Sequence, residues 1–85
     1  MKTKDAFRLL GEGILRKGAK VKMSGLKGFD KFTEIDDVFV KRARPGEIED
    51  DWVVVMIDGQ MYDTFWIDEI ENHSIAKGIV NYGNE

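Results

Sequence analysis

Residues 51–63 read Asp51-Trp52-Val53-Val54-Val55-Met56-Ile57-Asp58-Gly59-Gln60-Met61-Tyr62-Asp63. Asp58-Gly59 is a pair favoured by a two-residue hairpin loop, because a type I′ turn needs positive φ at both central positions. Residues 51–57 are expected to form a strand, and Gln60 to Ile67 a second strand running back along it. The first is apolar at nearly every position, the pattern of a strand covered on both faces. Its inward parity is therefore not decided by alternation.

Working backwards, Arg44-Pro45-Gly46 marks a break, since proline cannot donate to a ladder and Pro-Gly is a turn signal. Thr33 to Ala43 reads as another strand, with Asp36-Asp37 interrupting its alternation as a bulge does. Lys20-Val21-Lys22-Met23 alternates polar and apolar and reads as a half-buried strand. Ser24 to Lys31 is a loop.

Residues 3–17 carry Phe7, Leu10 and Ile14 at helical spacing, with Ala6 and Leu9 widening the stripe. Thr3 is the expected N-cap and Asp5 suits the positive end of the helix dipole. Gly18 is placed to follow the last turn. Gly11 and Gly13 work against this helix, each costing about 1 kcal/mol relative to alanine, so it bends or stops near Leu10. Forward of the hairpin, Ile67 to Asn72 reads as a single helical turn. Ile75 to Tyr82 reads as a last strand, and Asn81 to Glu85 as a frayed end.

An 85-residue chain supports one core. The fold class is therefore α+β: a single domain over 1–85, with an N-terminal helix at 3–17 packed on a small, strongly bent antiparallel sheet or barrel of about five strands at 18–82. The expected core is Phe7, Leu10, Ile14, Val21, Phe39, Val53, Val55 and Phe65. Nine aromatic residues are expected to supply most of its area.

From Gly18 to Glu71 the order of elements resembles a Src-homology-3-like small β-barrel. Gly18 to Met23 looks like its opening strand, Trp52 to Trp66 like its central hairpin, and Ile67 to Glu71 like the short turn before its closing strand. Trp52 stands where signalling members of that fold carry a tryptophan, but no clustered aromatic pair near the first loop accompanies it. The resemblance thus implies a fold that serves RNA binding, ribosome attachment and subunit docking alike, and does not imply a proline-peptide reader.

Composition excludes much chemistry. There is no cysteine, so disulfides, thiolate metal sites and a cysteine nucleophile are absent. His73 is the single histidine and has no second ligand of its kind. Its neighbour Ser74 does not make a triad. Gly25-Leu26-Lys27-Gly28 matches a GxxG clamp, but it joins two expected strands and not two helices. The reading is a non-enzymatic, cytoplasmic protein with no cofactor, no metal and no membrane segment.

Charge is the informative feature. Residues 1–44 hold twelve of the thirteen Lys and Arg against six acids, and residues 45–85 hold Lys77 against ten acids. A net charge of −3 thus hides a basic half and an acidic half. Two functions follow if the halves persist as faces. Glu47, Glu49, Asp50, Asp51, Asp63, Asp68, Glu69 and Glu71 are expected to dock on a basic protein, in the manner of a phage or mobile-element accessory factor that inhibits a nucleic-acid-binding protein. Alternatively, Lys20, Lys22, Lys27, Lys31, Lys41, Arg42 and Arg44 contact RNA or single-stranded phosphates, with Phe29 or Phe32 stacking on bases. The net negative charge places protein docking first. Cross-strand ion pairing between the halves is the bland alternative, and self-association through a strand edge is a further one.

Overall fold

A computed structural model describes residues 1–46 and 50–75. Helix α1 (Thr3–Gly11) is followed by β1 (Lys20–Lys22), β2 (Thr33–Glu34), β3 (Asp37–Lys41), β4 (Trp52–Ile57) and β5 (Gln60–Asp63). A 3-10 turn, η1 (Thr64–Trp66), then leads into β6 (Glu69–Ile70). The strands form two antiparallel three-stranded sheets, ordered β2-β1-β6 and β3-β4-β5.

Neither sheet closes, and this overturns the expected Src-homology-3-like barrel. Closure needs strands long enough to tilt and stagger while the ladder continues around the ring. Here β1, β2 and β6 are only two or three residues long, and no ladder among the described residues joins one sheet to the other around a ring. The architecture is one helix on two small open sheets.

The expected strand over 33–43 is divided for a definite reason. Ile35 is fully buried, and its N–H donates to the Ala19 carbonyl while its own carbonyl accepts from Gly18, which keeps it with β1. Asp36 N–H donates instead to Met56 of β4 at 2.8 Å. The chain therefore passes from one sheet to the other between these two residues. The Asp36 carboxylate accepts the Asp58 N–H at 2.8 Å and braces the hairpin from outside.

The hairpin turn forms as expected, with Ile57 opposite Gln60 and positive φ at Asp58 (51°) and Gly59 (78°), but the returning strand ends at Asp63, where η1 replaces the expected continuation to Ile67. Register settles the parity of β4. Val53, Val55 and Ile57 join Ala6, Leu9, Leu15, Val21, Met23, Ile35, Ile67 and Ile70 in the core.

Helix α1 ends at Gly11, so the expected extension to residue 17 does not occur. Gly13 adopts φ 74°, and the chain folds back so that the Ile14 and Leu15 N–H groups both donate to the Leu9 carbonyl. This turn delivers Leu15 into the core and takes Ile14 out of the helical stripe. The buried face is accordingly Ala6 and Leu9, with Phe7 left 37% exposed. Thr3 is the first helical residue and not the cap; Lys2 occupies that position without a side-chain bond.

Of the expected core residues, Val21, Val53 and Val55 are buried, Leu10, Ile14 and Phe39 are half-buried, and Phe7 and Phe65 lie at the surface. The core is aliphatic, and Phe29 and Tyr62 meet edge to face at its margin, 5.0 Å between ring centroids. The expected helical turn over 67–72 is also absent. Asp68 and Glu71 donate their N–H groups to the Lys22 and Lys20 carbonyls, which draws this segment alongside β1 as β6. Beyond Ile75, the expected last strand lies outside the described residues. No helix among the described residues is long and apolar enough to cross a membrane.

Candidate functional site

Folding interleaves the charges that the chain separates. Lys22 lies opposite Glu69 across β1 and β6, with Nζ 3.5 Å from the carboxylate, and Lys20 is in register with Glu34. Arg42 bonds the Asp51 carboxylate at 2.8 Å, joining one residue of the expected basic face to one of the expected acidic face. Of the remaining basic candidates, Lys27 and Lys31 sit in the loop between β1 and β2, Lys41 ends β3, and Arg44 is exposed beyond it. The two rings offered for base stacking are engaged: Phe29 packs on Tyr62, and Phe32 lies 4.7 Å beneath the Lys22 ammonium. No observation here favours the RNA-binding, inhibitor or phage-accessory readings.

On the acidic side, Glu47 and Glu49 lie outside the described residues, and Asp50 is exposed just before β4. Glu71 lines a shallow cleft of about 160 Å³ together with Arg16, Lys20 and His73. That volume is below the roughly 300–1,000 Å³ of ordinary ligand pockets. Asp63, Asp68 and Glu69 are brought together with something the sequence reading did not anticipate. They flank η1, where Phe65 is 68% and Trp66 41% exposed, with the two rings edge to face at 5.6 Å.

This turn is held from several sides. The Asp63 carboxylate caps it by accepting the Phe65 N–H at 2.8 Å, and the Thr64 hydroxyl donates to the Val53 carbonyl at 2.8 Å. The Ile67 N–H closes it onto the Thr64 carbonyl, and the Met1 ammonium donates to the carbonyls of Thr64, Phe65 and Ile67. The Trp66 ring also lies beside Gly25 of the neighbouring loop, where a Cβ would stand 3.4 Å from two ring carbons. The backbone that carries the exposed rings is thus fixed, which lowers the entropy a partner would lose in binding them.

One signal in the sequence does point to these rings. Consecutive side chains of a strand point to opposite faces, so Phe65 and Trp66 could not both have faced one core from the strand expected over 60–67.

Two carboxylates, Asp51 and Asp68, are held in the ionised form more firmly than usual. Asp51 lies below the usual carboxylate range, chiefly because the Ala43 N–H donates to it and then because of Arg42. Asp68 is also lowered: partial burial pushes the other way, but hydrogen bonds from Ser24 and the nearby Lys22 charge outweigh it. A carboxyl depressed in the folded state adds stability above its unfolded pKa of about 4, and that stability is lost as pH falls through the lower folded value. Melting temperature is therefore expected to fall below about pH 4. An Asp51→Asn, Asp68→Asn variant should lose less over the same range. An identical acid slope in the variant would contradict the assignment.

Among the described residues no group of three or more His, Asp or Glu is arranged to hold a metal ion. No family model, curated protein or solved structure matches the chain.

Proposed function

We propose that this protein is a non-enzymatic docking module that engages a partner protein through the acidic aromatic turn at 63–69. One observation carries the reading: two adjacent aromatic rings, 68% and 41% exposed, stand on a backbone tied down at both ends. Aromatic anchors of this kind dominate binding energy at protein interfaces. Exposing them costs a free monomer hydrophobic free energy that an interface would recover.

Asp63, Asp68 and Glu69 define the partner's chemistry. A surface carrying arginine or lysine would pair with the carboxylates and lay a guanidinium or ammonium on the ring faces. A cysteine-free chain suits a reducing cytoplasm, where we place it.

The test is affinity capture from the native host, with and without nuclease, using the wild type beside Phe65→Ser, Trp66→Ser and a Asp68→Lys, Glu69→Lys pair. A basic protein bound by the wild type should bind each variant at least about tenfold more weakly. Binding that survives all three changes sinks the reading. A partner released by nuclease points instead to bridging nucleic acid.

A further inference from the structure

The β3-β4-β5 sheet has two apolar faces, and only one of them reaches the core. Cross-strand partners share a face, so the register sorts the side chains. Val38, Val40, Val53, Val55 and Tyr62 point one way, where Val53 and Val55 meet Ala6 and Leu9 of α1. The other face reads in three rows: Lys41 with Trp52, then Phe39 with Val54 and Asp63, then Asp37 with Met56 and Met61. None of Phe39, Trp52, Val54, Met56 or Met61 belongs to the core or packs against it. Val54 is nevertheless 5% exposed, shielded at the centre of a patch whose rim includes Met61 at 52%.

We propose that this outer face is a self-complementary docking surface for a second copy of the chain. The charges choose the occupant. Lys41 and Asp37 sit at opposite ends of β3, equidistant from Phe39, and Lys41 makes no ion pair among the described residues. A two-fold axis crossing the strands at the Phe39–Val54 row sets two such faces together with their strands reversed.

Lys41 of each copy then meets Asp37 of the other, and Trp52 meets Met56, a favourable sulfur–aromatic contact. Phe39, Val54 and Asp63 meet their own counterparts along the axis, as an isologous interface requires, and the Asp63 pair is a like-charge contact that weakens the dimer. Asp63 stands at the rim with its carboxylate turned back onto the Phe65 N–H. Five residues each of β3 and β4 with three of β5 offer about 200 Å² per copy, from strand spacing and rise. That is well under the roughly 800 Å² of a standard interface, so the dimer is weak and concentration-dependent.

Sedimentation of the full chain over a concentration series tests this, because the decisive residues are exposed and their variants should fold. Lys41→Asp alone, and Asp37→Lys alone, should each weaken dimerisation at least about tenfold, since every pair becomes a like-charge contact. The double variant restores opposite charges and should recover most of the loss. A wild type that stays monomeric at the highest concentration it tolerates overturns the proposal. So does a dimer indifferent to both single reversals, which would indicate strand-edge pairing, or one that the double variant fails to rescue. None of these variants touches the acidic aromatic turn, so failure here leaves the docking function standing.

Discussion

Replacing Leu9 with alanine is expected to lower the unfolding free energy by about 2–5 kcal/mol, the range for emptying a fully buried leucine site. Leu9 has no exposed surface and lies in the core cluster with Ala6, Val53, Val55 and Ile57. The helix that carries it is only nine residues long and lacks a side-chain N-cap bond. Such a helix has little stability of its own and depends on the face it buries. For a domain whose total stability is about 5–15 kcal/mol, the loss is a large share. Urea unfolding would show it as a lowered midpoint with little change in slope. The control is Phe7→Ala, which removes a larger side chain that is already 37% exposed and should cost clearly less. If Phe7 proved the costlier residue, the helix would be rotated from the orientation described.

The second large effect is expected at Thr64, the one buried polar side chain among the described residues. Its hydroxyl donates to the Val53 carbonyl at 2.8 Å at the point where β5 ends and its backbone turns away into η1. The side chain thus supplies a donor that the ladder no longer provides. Valine matches threonine in shape but cannot donate, so Thr64→Val strands a buried acceptor at a cost of about 1–3 kcal/mol. Thr64→Ser keeps the donor and loses only a methyl group, and should fall nearer the wild type. Thermal melts of the two variants separate the hydrogen bond from the packing. Equal losses would mean that the bond contributes little. Because η1 presents Phe65 and Trp66, Thr64→Val should also weaken partner binding under conditions where the protein remains folded.

Local chemistry made several elements legible. The Asp58-Gly59 turn and the strands on either side followed from backbone φ requirements and β-branched composition, both short-range properties. The opening strand at Lys20–Lys22 followed from alternation. The interruption at Asp36-Asp37 was visible, but its consequence was not: a bulge and a change of sheet leave the same mark in a sequence. Gly11 and Gly13 marked a bend or stop near Leu10, which the helix end at Gly11 bears out, but the expected extension to residue 17 failed because the two glycines act together. With the second in the left-handed region, the chain can fold back and send Leu15 inward. The expected barrel failed because element order says nothing about ladder closure.

The candidate site was less legible still. Counting charges separates Arg42 from Asp51 by sign and by half of the chain, whereas folding places them 2.8 Å apart. Expecting most of the aromatics in the core, Phe65 among them, hid the Phe65–Trp66 pair, which reaches the surface because Thr64 and Ile67 take the buried positions around it. The sequence by itself determined the hairpin, the absence of thiol chemistry and the supply of aliphatic residues for the core, since these depend on residue type and near neighbours. Only the tertiary structure decided which face of β4 turns inward, how the charges pair and which rings stay in water. Those outcomes depend on contacts between residues far apart in the chain, where a shift of one position in register reverses every side chain.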